Sequence, residues 1–183
     1  GMVQNNLGNA LLAQGKRRND PAIIQEAVNA YEAALTVRDR ETWPFQHAMT
    51  VMHMGNAYAA LGQHDWFGTP NLDKARAAFE TALSLLDRAK VPIDWAAVQN
   101  NIGIALQTIG QKNSDVASLQ DAARAFRDAA SAYPRYSLPL DWAMTQFNLG
   151  NTLRLVAAAT AMAGGGGELD FYREAAGSYR AAL

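Results

Sequence analysis

The chain contains no cysteine. That excludes disulfides, thiolate metal sites and a cysteine nucleophile, and it suits a reducing compartment, for which the expectation is cytoplasmic. Excess charge is missing too: 16 basic and 17 acidic residues leave a net charge of −1 and a pI near 6.3. Without a basic or acidic field there is no footprint for nucleic acid or an anionic membrane surface. Long apolar runs are absent, the longest mainly apolar stretch being the alanine-rich 156–163, far short of the roughly 20 residues of a membrane span. The histidines His47, His53 and His64 show neither i,i+4 pairing nor a glutamate between them, so packing or surface roles are expected and no metal. Serines are few, none sits in a nucleophile turn, and no histidine stands beside a candidate base. The expectation is a non-enzymatic protein without a cofactor.

What is present is repetition. The segments QNNLGNAL (4–11), VMHMGNAY (51–58), QNNIGIAL (99–106) and QFNLGNTL (146–153) place their glycines at Gly8, Gly55, Gly103 and Gly150, spaced 47, 48 and 47 residues apart. A period of that size marks an array of units each too small to bury its own apolar face. With each glycine as position zero, Pro44, Pro92 and Pro139 fall at −11, where a first helical turn tolerates proline, and Asp94 and Asp141 lie where a helix N-terminus favours negative charge. Positions −8, −1, +3 and +6 share one stripe of that helix: Trp95, Ile102, Leu106 and Ile109 in repeat three, and Trp142, Leu149, Leu153 and Val156 in repeat four. Repeat two has His47 at −8, and Trp43 one turn earlier is expected to fill the same space.

A second block follows in each repeat, IQEAVNAYEAAL (24–35), LDKARAAFETAL (72–83), LQDAARAFRDAA (119–130) and YREAAGSYRAAL (172–183). Its small residues Ala27, Ala75, Ala122 and Ala175 precede Tyr31, Phe79, Phe126 and Tyr179 by four. Alanine permits close helix approach while the ring fills the layer between, which predicts an antiparallel pair. Asp20-Pro21, Thr69-Pro70 and Asn113-Ser114-Asp115 announce the starts of the second helices.

The aliphatic-glycine-small-apolar run on the first helix, followed by Ala-x3-Phe/Tyr-x2-Ala/Ser on the second, resembles the tetratricopeptide repeat. The period is 47 rather than that family's 34, and Gln4, Gln99 and Gln146 occupy the family's usual aromatic place. The resemblance implies an all-α, right-handed solenoid of stacked antiparallel helix pairs, about eight helices in one domain spanning 1–183. The repeats run 2–42, 43–90, 91–138 and 139–183, with a flexible glycine-rich loop at 164–167 that is followed by Glu-Leu-Asp rather than the Gly-Lys-Ser/Thr of a phosphate cradle. Gly1 ahead of Met2 reads as a tag remnant, and the array begins and ends inside a repeat, so a fragment of a longer protein is expected. Ends lacking a polar cap tend to stack, which makes end-to-end self-association a further expectation.

The wheel also yields a candidate site. Position +1, opposite the core stripe, is Asn9, Asn56 and Asn151, with Ile104 in repeat three; position −2 is Asn6, Asn101 and Asn148, with His53 in repeat two. Asparagine is a mediocre helix residue, so its recurrence asks for a reason. By the family resemblance these first helices line a concave surface, where amides can hold the main chain of a peptide or partner protein. Amides bonded to each other or to the next helix would instead hold repeats in register, and both uses are compatible. Beside the ladder lie Met49, Met52, Met144, Phe147 and Leu155, suited either to variable apolar partners or to the core. The glutamines are expected to satisfy neighbouring groups, Trp66 and Phe67 to lid a helix pair, and residues 38–41 to form a solvated helix end. The function so read is a protein-interaction scaffold; a regulatory arm sensing a small ligand and a self-assembly module are the alternatives.

Overall fold

The computed structural model describes residues 1–65 and 69–183. Trp66 and Phe67, the expected lid, lie outside the described residues. Among those described, the chain is all-α with eight α-helices: α1 (Met2–Arg18), α2 (Pro21–Leu35), α3 (Pro44–Leu61), α4 (Pro70–Ser84), α5 (Pro92–Asn113), α6 (Val116–Ala132), α7 (Pro139–Met162) and α8 (Glu168–Ala182). One 3₁₀ turn, Gly62–His64, extends α3. Each consecutive pair forms a hairpin, and the hairpins gather into two compact units, residues 1–87 and 88–183. Within the first, α3 stacks on α2; within the second, α7 stacks on α6.

Helix boundaries follow the local chemistry. Pro21, Pro44, Pro70, Pro92 and Pro139 each occupy the first helical turn of a helix, where a missing N–H costs nothing. Asp20 caps α2 by accepting from the Ala22 amide, and Asp115 caps α6 by accepting from those of Ala117 and Ser118. Asn19 and Ser114 stop the preceding helices in the left-handed region, both at φ 54°. These two tight turns are equivalent, 95 residues apart, and so are many other features of the two units.

Each hairpin is joined at its glycine. A Cβ on Gly8, Gly55, Gly103 or Gly150 would come within 2.5 to 2.8 Å of the ring of Tyr31, Phe79, Phe126 or Tyr179 respectively. Absence of a side chain on the first helix is what lets the second helix seat its aromatic residue. A second joint lies seven residues on, where Gly15, Gly62 and Gly110 receive Ile24, Leu72 and Leu119. Repeat four lacks it, with Ala157 in the glycine's place and Tyr172, 42% exposed, in the aliphatic's. Tyr31, Phe79 and Phe126 are fully buried, as are Ala27, Ala75 and Ala122. Burying such rings removes enough apolar surface to stabilise each joint by several kcal/mol.

Two expectations about aromatics need correction. Trp43 does not substitute for His47 in the core; it is 51% exposed, while half-buried His47 turns its Nδ1 to the Arg38 carbonyl at 2.7 Å. Trp95 and Trp142 are half-buried rather than core residues, each roofed by a guanidinium, Arg88 at 4.8 Å and Arg135 at 4.7 Å from the ring centroid. Nor is Arg38 solvated at a helix end. Half-buried, it donates to the Oγ1 of buried Thr50 at 2.8 Å, while Asp39 folds the next turn by accepting from the Glu41 and Thr42 amides.

Candidate interaction surface

Two of the three asparagines at +1 serve the hairpin joint. Asn9 Oδ1 accepts from the Tyr31 hydroxyl at 2.8 Å, and Asn151 Oδ1 accepts from the Tyr179 hydroxyl at the same distance. Burial pushes the Tyr31 phenol up to about 12, so the hydroxyl stays protonated and remains the donor. The ring lacks a hydroxyl in repeats two and three; in repeat three the +1 residue is Ile104 and the joint is wholly apolar, whereas repeat two keeps Asn56 beside the joint of Phe79. Asn9 is exposed and Asn151 half-exposed; with their carbonyls committed, their amide N–H groups are what they can offer a partner.

Position −2 faces the neighbouring hairpin. His53 Nδ1 lies 3.4 Å from Asn5 Oδ1, and Asn148 Nδ2 donates to Asn100 Oδ1 at 3.5 Å. Both contacts span 48 residues and join the first helices of one unit, α1 to α3 and α5 to α7. Buried Thr145 adds to the second bridge, 3.4 Å from the same Asn100 oxygen. Burial, and to a smaller degree the Arg38 charge, hold the His53 imidazole below its usual range. Its ring also packs against Tyr31, with centroids 6.0 Å apart. Asn6 is exposed, while Asn56 and Asn101 are half-buried and engaged with neighbours. Asn5 and Asn100, at −3, belong to these bridges although the ladder reading omits them; their shared offset of 48 residues from His53 and Asn148 is the signal that could have found them.

The apolar candidates divide sharply. Met52 is only 7% exposed and offers little surface, whereas Phe147 is 53% exposed, its ring 5.9 Å from that of Tyr179. On α7, exposed Leu140, Met144 and Phe147 continue through Asn151 and Leu155 as one stripe at helical spacing. On α5 the matching positions hold Ile93 and Ile104, both exposed. No Asp, Glu, Lys or Arg occupies positions −10, −6, −3, −2, +1 or +5 of any first helix. At −3 and +5 of the first helices in repeats one and two, Asn5, Met52 and Ala60 are buried; exposed helix faces normally carry charge, so the lack of it where Ile93, Ile104, Leu140, Met144 and Phe147 stand exposed is unusual. Gln99 is buried, in keeping with an amide satisfying its neighbours, while Gln4 is exposed.

Near the end of α7, Gly110, Leu119, Leu155, Ala158 and Met162 line an apolar cleft of about 520 Å³. Among the described residues no group of three or more His, Asp or Glu is placed to hold a metal ion, and no helix is long and apolar enough to cross a membrane. No protein-family model matches the chain, and no curated protein is similar to it.

Proposed function

We propose that this chain is a non-enzymatic interaction module that binds a peptide or partner protein along the uncharged face of its first helices, as the resemblance to the tetratricopeptide repeat implies. The observation that carries the reading is that face itself. Ile93, Ile104, Leu140, Met144 and Phe147 stand exposed on a band without charges, and apolar patches of this kind mark docking sites. Asparagine amides beside them supply donors to a main chain without reading its sequence. A cytoplasmic setting fits a chain without cysteine. The test is selection of peptides from a random display library on the immobilised chain. Enriched peptides should be rich in apolar residues and should lose binding to an Ile104→Asp, Met144→Asp variant with unchanged circular dichroism. Peptides that bind the variant equally well, or no enrichment at all, would sink the reading.

A small-ligand sensor is the second reading, favoured by the 520 Å³ cleft at the end of α7, a size in the range of small-molecule sites. A thermal shift on screening apolar metabolites, lost in Ala158→Trp, would favour it.

A further inference from the structure

We infer that α7 docks on α7 of a second copy of this chain, the two helices running antiparallel about a two-fold axis beside Asn151. The inference rests on the reading of the uncharged face as a docking surface and names the occupant of its α7 part. This helix is apolar on both sides. Packed against α6 and α8, it buries Leu149, Leu153 and Val156; its opposite side carries a seam that begins with Leu140, Met144 and Phe147, passes through Asn151, and ends with Leu155, Ala158 and Met162. Asp141 and Arg154 border the seam on opposite edges and leave it uncharged. A helix apolar all round belongs in an interior, yet Met162 is 90% exposed. The seam repeats a 4-3-4 spacing twice, an 11-residue repeat whose period of about 3.67 residues per turn lies close to that of a straight helix. It therefore keeps to one side of α7 for about 33 Å.

What fits this seam is the seam itself, reversed. Its positions are symmetric about Asn151: Phe147 and Leu155 stand four residues away on either side, Met144 and Ala158 seven, Leu140 and Met162 eleven. The two halves differ in relief. Large exposed side chains project from the N-terminal half, whereas the apolar cleft of about 520 Å³ opens along the C-terminal half, lined by Leu155, Ala158 and Met162 together with Gly110 and Leu119. A two-fold at Asn151 sets Met144 of each copy against Ala158 of the other, and Phe147 against Leu155, so the projections of each copy enter the cleft of its mate. Parallel pairing would instead place Met144 on Met144 and leave both clefts unfilled. At the axis, each Asn151 Oδ1 has a lone pair beyond the one taken by the Tyr179 hydroxyl, and the two amides can donate to each other. A lone polar side chain in an apolar seam fixes its register. Both copies present the same patch, so the interface is isologous and closes at the dimer.

Sedimentation velocity of the full chain over about two decades of concentration should show a monomer–dimer equilibrium with no larger species. Met144→Asp should weaken dimerisation about ten-fold or more, because the symmetry places the charge in the interface twice. Cysteines read the register directly, since the chain has none of its own. Met144→Cys mixed with Ala158→Cys should yield a disulfide-linked dimer under mild oxidation, while Met144→Cys alone, its two thiols about 21 Å apart along the helices, should not. Should Ala158→Cys misfold, Phe147→Cys mixed with Leu155→Cys makes the same test one rung nearer the axis. A monomer at every concentration, growth past the dimer, linkage of Met144→Cys to itself, or folded cysteine mixtures that do not link would each overturn the inference. If the chain is monomeric while selected display peptides still bind it and lose binding to the Ile104→Asp, Met144→Asp variant, this inference falls and the docking reading stands; if those peptides fail as well, both fall.

Discussion

The two units repeat one plan at an offset of 95 residues and execute it with different chemistry. Unit one bridges its first helices with Asn5 and His53, unit two with Asn100 and Asn148. Hairpin one seats a tyrosine whose hydroxyl needs Asn9; hairpin three seats Phe126 and faces it with Ile104, which needs nothing. Even the polar groups between second helices are recast: Arg127 and Glu174 in unit two correspond to Glu32 and Lys74 in unit one, where burial, and after it the Glu32 charge, raises the half-buried Tyr58 phenol and Lys74 caps the same ring at 5.6 Å. Geometry is the constant and the interaction filling it is variable. Packing constraints at the glycine joints are strict, whereas any matched pair of polar groups can occupy the periphery.

The largest test of that contrast is Phe126→Ala, expected to cost about 3–5 kcal/mol in urea unfolding because the ring is fully buried against a glycine. A loss under about 1 kcal/mol would mean that the joint is not what holds the hairpin. Gly110→Ala puts a methyl 2.7 Å from the Leu119 Cγ and should cost about 1–3 kcal/mol, although alanine is the better helix former; repeat four, with Ala157 already there, shows what accommodation looks like. Next, Phe126→Tyr buries a hydroxyl opposite Ile104 and should cost about 1–3 kcal/mol. Adding Ile104→Asn should recover most of it, converting joint three into joint one; failure of that rescue would break the equivalence of the two.

A smaller effect separates the bridges by pH. His53 favours its neutral form when folded, so the unfolded chain binds the proton more readily and stability rises with pH. Stability from this residue is complete above its unfolded value near 6.5 and is lost as pH falls through that value toward the lower folded one, with a slope no steeper than about 1.4 kcal/mol per pH unit. Comparing His53→Asn, which copies unit two, with the parent between about pH 7.5 and about pH 5.5 should show that slope vanish. Smallest is Gly177→Ala, a helix-interior position open on all sides, where a gain of about 0.5–1 kcal/mol is expected by thermal melting.

The helix pairs were legible because glycine and ring recur at a fixed spacing, and such coincidences arise from packing. Proline starts and aspartate caps were equally plain, since Pro21, Pro44 and Asp115 act through local backbone geometry. The asparagines were harder. The wheel turns them away from the packing, yet Asn9 and Asn151 bond the joint tyrosines and Asn148 reaches the neighbouring hairpin; a wheel has no memory of what stands opposite, and with Asn56 paired to Phe79 in repeat two, residue types alone do not reveal the bond. His47 and Arg38 escaped for a related reason: their contacts run between a turn and a helix, where no periodicity operates.

The uncharged band on the first helices has a kinetic consequence. A partner that docks there as proposed would find no charge on the band to guide it from a distance, so its encounters would proceed at the unsteered rate of roughly 10⁵–10⁶ M⁻¹s⁻¹ and change little between low and physiological salt. Under the proposed reading, selectivity would reside in how long such a partner stays, set by how well its apolar side chains fit around Ile104 and Met144.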